Sequence, residues 1–209
     1  MSFDLWLTFV AASTALLLIP GPTILLVLSY ALTQGRKVAV ATAAGVALGD
    51  LIAMTASLMG LGALVLASAT AFAVLKWVGA VYLIWLGVKM VRTAGTATLG
   101  DMTKASELPA HGVFGHAAAV TALNPKSIGF FIAFVPQFLT PSAPMLPQFA
   151  ILIATFVTLA ALNALAYALL ADRLRSRIER PAVMHSLTRL GGLTLIGMGV
   201  LTATLKRAT

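Results

Sequence analysis

One acid and one base lie inside long apolar stretches of this 209-residue chain. Asp50 is the acid, about twelve residues into its stretch, and Lys126 is the base, in the middle of another. A charge near the bilayer centre costs about 2.5–3.5 kcal/mol on insertion scales, so it usually faces a cavity or a partner. A carboxyl that can be neutral or charged is suited to carry protons. We therefore predict a functional Asp50 with Lys126 as its natural partner. The alternatives are an Asp50 wetted by headgroups and a static ion pair that joins two spans.

Two proline motifs interrupt apolar stretches that would otherwise be continuous helices. They are Pro20–Pro22 and Asn124–Lys126. Proline lacks the backbone donor and clashes with the carbonyl four residues earlier, so Pro22 frees the carbonyl of Leu18 and Pro125 frees that of Thr121. Broken backbone at membrane depth must face protein or a water-filled cavity. A matched pair of such breaks, one in each half of the chain, is typical of a transporter's binding site.

The elements that must position these residues are membrane spans. Hydrophobic residues make up 60% of the chain and charged residues 10%, whereas soluble domains are nearer one half and one quarter. We predict an all-α integral membrane protein with one polytopic domain, residues 1–209. Its net charge of +8 could indicate nucleic-acid binding, but basic residues in short loops that set topology explain it better. The predicted spans are Asp4–Leu32, Val38–Ala67, Phe72–Met90, Val113–Leu139, Leu146–Ala171 and Leu187–Leu205.

The two halves of the chain resemble each other. A shift of 112 residues places Gly79 on Gly191, Gly87 on Gly199, and Leu83-Ile84 on Leu195-Ile196. Repeats with an odd number of spans must be inverted in the membrane. The sequence thus predicts two inverted three-helix repeats, residues 4–91 and 113–206, each with a broken first helix, joined by a linker at 92–112.

Basic residues in the loops predict the orientation. Ten Lys and Arg residues lie in or beside the odd-numbered loops, and three, Lys76, Lys206 and Arg207, lie on the opposite side. The positive-inside rule places the odd-numbered loops in the cytoplasm and both termini in the periplasm.

Other residue patterns favour packing over chemistry. Small residues recur every four positions at Ala41, Gly45, Gly49 and Ala53, a stripe that permits close helix approach and leaves room for a homodimer. The three histidines are scattered without acidic or thiol neighbours, so no metal site is expected. We find no catalytic constellation and no nucleotide-binding loop, and predict a chain that is not an enzyme and needs no cofactor.

The ordered set of motifs resembles the LysE/RhtB family of bacterial amino-acid exporters. The segments that carry the resemblance are Ile19–Thr23, Gln34–Gly35, Ala44–Asp50, Leu75–Leu83, Leu86–Gly87, Asn124–Lys126, Phe130–Phe131, Phe134 and Pro136–Phe138. Many relatives have Asn or Asp where this chain has Thr23. The resemblance implies export of amino acids or close derivatives across the bacterial inner membrane, driven by the proton gradient. With a single acid inside the spans, we favour neutral substrates such as homoserine, threonine or leucine.

These observations combine into a mechanistic hypothesis. Half-helix N-termini carry free amides and partial positive charge, so the segments that restart at Pro22 and Pro125 would hold the substrate carboxylate. Asp50 would pair with the substrate ammonium and take a proton when substrate leaves. The candidate substrate-binding residues are Gly21, Pro22, Thr23, Asn124, Pro125 and Lys126, with Gln137 and Asn163 as additional polar lining. Asn124 could instead cap the second half-helix. The alternatives are a metal-ion or other small-solute transporter and a non-transporting membrane scaffold.

Overall fold

Helices form all the regular structure in the part of the chain that the computed structural model describes, residues 1–67, 69–94, 108–140, 142–178 and 180–204. The helices are α1 (Phe3–Leu18), α2 (Pro22–Gln34), α3 (Ala39–Ala67), α4 (Ala69–Arg92), α5 (Ala110–Ala122), α6 (Pro125–Ala133), α7 (Met145–Ile178) and α8 (Pro181–Thr204). Short 3₁₀ segments, Gly35–Val38 and Val135–Phe138, follow α2 and α6. Most of the predicted linker, together with Lys104, Lys206 and Arg207, lies outside the described residues.

The described helices include stretches that are long and apolar enough to cross a membrane. Three stretches meet that condition on their own: Pro22–Gly60, Met145–Ala171 and His185–Thr204. Ala110–Ala122 and Pro125–Phe138 meet it together as a pair bent by 45°, which brings the number to as many as four. The predicted all-α membrane protein is thereby confirmed, while the number of six spans stays a prediction.

Both predicted helix breaks are present. α1 ends at Leu18, Ile19 is extended, and α2 begins at Pro22 in the first helical position. α5 ends at Ala122, and α6 likewise begins with its proline. Proline suits a first helical position because the N–H that it lacks would have no partner inside the helix there.

Glycines in α3 bring it into backbone contact with α5. A Cβ added to Gly49 would lie 2.6 Å from the carbonyl oxygen of Ala118 and 2.6 Å from Cβ of Thr121. A Cβ on Gly45 would overlap the carbonyl oxygen of Phe114. The predicted packing role of this stripe is confirmed at both glycines, and it fixes the position of Asp50, the residue that follows Gly49.

α4 and α8 pack against each other through reciprocal contacts. Gly87 lies against the carbonyl of Gly192 and the side chain of Ile196, and Gly199 lies against the carbonyl of Ala80 and the side chain of Ile84. The two groups of contacts are equivalent under the 112-residue shift: Gly87 of α4 corresponds to Gly199 of α8, and Ala80 and Ile84 correspond to Gly192 and Ile196. Residue numbers rise along one helix as they fall along its partner, so the two helices run antiparallel.

An aromatic cluster holds α6 in the core. Phe130 and Phe131 are fully buried, and the ring of Phe131 packs edge-on against Phe156 of α7 with centroids 4.8 Å apart. Phe134 continues the cluster toward Phe138, which in turn packs against α1. This packing positions the first turn of α6, and with it Lys126, against the end of α1.

Candidate functional site

A small cavity lies where the two helix breaks meet. Its volume is about 30 Å³, more than the roughly 10–15 Å³ that one enclosed water molecule needs. Residues of α1, α2, α3, α6, α7 and both breaks line it. The polar side chains in the lining are Thr23, Asp50, Asn124, Lys126, Ser127 and Asn163. The acid, the base and both breaks, which are distant in sequence, therefore share one cavity.

Lys126 binds the carboxyl end of α1. Its Nζ donates to the carbonyl oxygens of Leu16 and Ile19, both at 2.8 Å. The carboxyl end of a helix carries unpaired carbonyls and partial negative charge, so it is a favourable place for a buried cation. Gly21 packs beside the lysine arm, and a Cβ there would lie 3.3 Å from Cδ and 3.6 Å from Nζ.

Side chains of α7 satisfy the two carbonyls between those that Lys126 binds. Asn163 Nδ2 donates to Leu17 O at 3.0 Å, and Tyr167 Oη donates to Leu18 O at 2.8 Å. Leu18 O is the carbonyl that Pro22 was predicted to free. Asn163 and Tyr167 are four residues apart and therefore share one face of their helix. Four consecutive carbonyls at the carboxyl end of α1, those of Leu16 to Ile19, thus accept hydrogen bonds from side chains of α6 and α7.

Asn124 caps the second half-helix and links it to the first. Its Oδ1 accepts a bond from the backbone N–H of Lys126 at 3.0 Å, which realises the capping alternative. Its Nδ2 donates to Thr23 Oγ1 at 2.9 Å, and the hydroxyl of Thr121 donates to the same oxygen at 3.4 Å. One threonine hydroxyl therefore joins the two breaks.

The amino end of α2 has no side-chain cap. Gly21 is its N-cap residue, Pro22 carries no N–H, and Leu25 donates to Gly21 O at 2.9 Å. The first-turn amides of Thr23 and Ile24 thus lack a side-chain acceptor, and both residues line the cavity. A helix start of this kind binds anions such as carboxylates.

Asp50 is the unpaired acid of the cavity. The residue is 2% exposed, and its Oδ1 has no hydrogen-bond partner. Lys126 lines the same cavity, and its ammonium donates to the carbonyl oxygens of Leu16 and Ile19. An unsatisfied buried acceptor is costly, so this atom marks a position where a donor is expected.

The structure gathers most but not all of the predicted site residues. Gly21, Thr23, Asp50, Asn124, Lys126 and Asn163 line the cavity. Pro22 and Pro125 set the helix starts beside it. Gln137 lies in the segment Val135–Phe138, away from the lining.

Two polar residues of the site were not among the predicted ones. Ser127 lines the cavity and Tyr167 caps Leu18 O. The spacing of Tyr167 from Asn163 is the sequence signal that would have indicated it, because residues four apart share a helix face. Ser127 follows Lys126 directly, and no sequence pattern distinguishes it.

Known proteins resemble the chain over most of its length. The LysE type translocator family matches residues 14–206. The homoserine/homoserine lactone efflux protein of Salmonella typhimurium is 35% identical over 208 residues, with both chains fully covered. An uncharacterized membrane protein of Vibrio cholerae is 34% identical over 206 residues, 99% of this chain and 100% of the relative. The leucine efflux protein of Klebsiella pneumoniae is 32% identical over 138 residues, 66% of this chain and 65% of the relative.

No solved structure matches the chain. The family resemblance expected from the two proline motifs and the Asp50 segment is confirmed by the match over residues 14–206. By this match the chain belongs to the LysE family of translocators, which are transporters and not enzymes.

Proposed function

We propose that the protein exports a neutral amino acid or a close derivative across the bacterial inner membrane in exchange for protons. The observation that carries the proposal is one cavity with two complementary ends. Asp50 offers an unpartnered carboxylate oxygen, and α2 offers a first turn without a side-chain cap. An α-amino acid carries the two matching charges, an ammonium and a carboxylate, on neighbouring atoms.

The substrate carboxylate binds at the first turn of α2, between Gly21 and Ile24. Backbone amides and the partial positive charge of the helix start favour an anion there. Pro22 begins this turn, and Asn124 and Pro125 form the corresponding start of α6. The ammonium of Lys126 adds positive charge from the cavity wall.

The substrate ammonium binds Asp50. The remaining lining is mainly apolar, including Leu17, Ile24, Val46 and Ala160, with Asn163 as a polar group. No second acid lies in the lining to neutralise a basic side chain. This composition favours neutral side chains, in agreement with relatives described as efflux proteins for homoserine and its lactone and for leucine.

Proton exchange follows from competition for one carboxylate. Ionised Asp50 binds the ammonium of the substrate, and protonated Asp50 does not. Release of the amino acid outside lets Asp50 take a periplasmic proton, which it gives to the cytoplasm before the next substrate binds. Each cycle therefore moves substrate outward and at least one proton inward.

Alternating access between two inverted repeats moves the site from one side to the other. The cavity of about 30 Å³ is far smaller than the ~300 Å³ or more of typical ligand pockets, so substrate enters only after the cavity walls from the two halves move apart. The reciprocal contacts of α4 and α8 under the 112-residue shift support a two-fold relation. Two antiparallel helices related in this way have their axis perpendicular to both, as inverted repeats in a membrane require.

Six spans complete this architecture. α1 with α2 and α5 with α6 each form one broken span, and α3, α4, α7 and α8 form the others. The odd-numbered loops then face the cytoplasm, because they carry most of the Lys and Arg residues.

Transport by purified protein in vesicles tests the proposal. An imposed proton gradient should drive uphill movement of homoserine or leucine by wild type. Asp50→Asn, which keeps the size but removes the titration, should abolish this coupled transport. Asp4→Asn is the matched control, because Asp4 is exposed in the first turn of α1. Full proton-coupled transport by a well-expressed Asp50→Asn variant would remove Asp50 from the mechanism.

A further inference from the structure

The ammonium of Lys126 has a second acceptor inside the cavity besides the carbonyls that it binds. Its Nζ donates to Leu16 O and Ile19 O, while Asp50, in the lining of the same cavity, has an oxygen without a partner. Both groups line one cavity of about 30 Å³, and a lysine arm with four rotatable bonds can change its acceptor within such a space. Gly21 leaves room beside that arm, since it has no side chain.

The unpartnered oxygen indicates which charge state of Asp50 this arrangement suits. A buried carboxylate left without a hydrogen bond or counter-ion is strongly unfavourable. A protonated Asp50 is neutral and tolerates the site at lower cost. We therefore infer that Asp50 is neutral when the ammonium of Lys126 is bonded to the carbonyls at the end of α1.

The charged groups around the cavity reduce to this pair. Lys126 comes from α6, and Asp50 comes from α3. The other polar side chains of the lining, from α2, α6, α7 and the second break, are neutral: Thr23, Asn124, Ser127 and Asn163. Within the lining, the ammonium of Lys126 is thus the one cation that an ionised Asp50 can attract before substrate arrives.

We propose that Lys126 is a coupling latch that reports whether Asp50 is occupied. When Asp50 is ionised and empty, the ammonium leaves Leu16 O and Ile19 O and pairs with the carboxylate. α6 then no longer holds the end of α1, and the cavity opens. A proton or a substrate ammonium on Asp50 displaces Lys126, which returns to the α1 carbonyls and closes the cavity again.

Such a latch would make the exchange of substrate for protons obligatory, and it rests on the proposed function. Only a carrier with a proton or a substrate on Asp50 closes and changes its facing side. The empty, ionised carrier stays open, so it cannot return without a proton. Lys126 is in this sense a positioning residue, since it acts through the α1–α6 contact.

Lys126→Gln tests the latch because it removes the charge that responds to Asp50 while keeping a hydrogen-bond donor for α1. The glutamine amide can still donate to an α1 carbonyl, but it has no charge with which to follow Asp50. In proteoliposomes, exchange of labelled for unlabelled homoserine needs only the loaded carrier, so at saturating homoserine it should persist, with a raised KM because the substrate carboxylate loses a nearby positive charge. Accumulation driven by a gradient of about one pH unit, up to about tenfold per proton in wild type, should fall to no accumulation.

Other outcomes overturn the latch. Parallel loss of exchange and accumulation would make Lys126 a structural residue. Retained coupling, with or without a raised KM for exchange, would make it at most a carboxylate ligand. Lys126→Arg, which keeps the charge, should retain coupled accumulation. Failure of wild type to transport any amino acid would instead refute the proposed function, so the two failures are distinguishable.

A second experiment leaves Lys126 intact. The chain contains no cysteine, so Ser127→Cys introduces a single thiol into the cavity lining. At one alkaline pH without substrate, a small methanethiosulfonate reagent should label Ser127→Cys faster than the double variant Ser127→Cys/Asp50→Asn. The asparagine imitates a neutralised Asp50 and keeps the latch closed. Equal labelling rates would refute the latch whatever the behaviour of Lys126→Gln.

Discussion

Replacement of Thr23 by valine tests whether one hydroxyl joins the two breaks. Thr23 Oγ1 accepts from Asn124 Nδ2 at 2.9 Å and from the hydroxyl of Thr121 at 3.4 Å. Valine has nearly the same shape but no oxygen, so both donors lose their acceptor in a buried place. Asn124 is only 4% exposed, and water cannot replace the bond there without a rearrangement.

The size of the effect follows from the two bonds. Side-chain hydrogen bonds within membrane proteins average about 0.6 kcal/mol and reach about 1.7 kcal/mol. The short bond from Asn124 belongs near the upper value, and the long bond from Thr121 adds little, which gives about 1–2 kcal/mol. That energy corresponds to a factor of about 5–30 in the population of the assembled site.

The assay is exchange of homoserine in proteoliposomes, with KM measured at equal protein density. We expect Thr23→Val to raise KM by up to about 5–30-fold, since the apparent affinity scales with the fraction of the protein whose site is assembled. Thr23→Ser keeps the oxygen and should stay close to wild type. A Thr23→Val KM equal to that of wild type, or a serine variant as weak as the valine variant, would refute the link between the breaks.

Two further predictions concern the scaffold around the site. Tyr167→Phe removes the donor to Leu18 O, so we expect a loss of about 0.6–1.7 kcal/mol, the range for a side-chain hydrogen bond in a membrane protein, seen as earlier unfolding in detergent. Unchanged stability would show that Leu18 O finds another partner. Gly87→Ala and Gly199→Ala should each destabilise by about 1–3 kcal/mol through overpacking and by similar amounts, because their surroundings are equivalent. Gly197→Ala is the control, since no atom lies within 4 Å of an added Cβ. Clearly unequal losses at the two α4–α8 glycines would argue against their equivalence.

The sequence predicted those features that proline and glycine chemistry determine locally. Pro22 lacks an N–H, so the helix break and the freed carbonyl of Leu18 follow from the residue type alone. The close approach at Gly49 follows from its missing side chain. Asn124 before a proline predicted a cap as one of two roles, and the structure contains the cap.

The sequence could not predict the partner of Lys126. Asp50, the acid in another apolar stretch, suggested a direct pair with Lys126. The ammonium of Lys126 instead donates its hydrogen bonds to main-chain carbonyls at the end of α1. Every residue has a main-chain carbonyl, so an acceptor of this kind cannot be recognised from the amino-acid sequence. It depends on where a helix ends and on which element packs against that end, both of which arise from tertiary structure.

The two kinds of contact between the halves suggest where movement occurs. α4 and α8 meet through glycines that pack directly on backbone carbonyls, and such tight backbone packing resists sliding because it has no flexible side chain to adjust. The end of α1, by contrast, is held by polar side-chain tips, those of Lys126, Asn163 and Tyr167. Those tips can exchange one acceptor for another without repacking the core. We therefore expect the α4–α8 pair to stay fixed while α1 separates from α6 and α7, so that the breaks serve as both binding site and moving part.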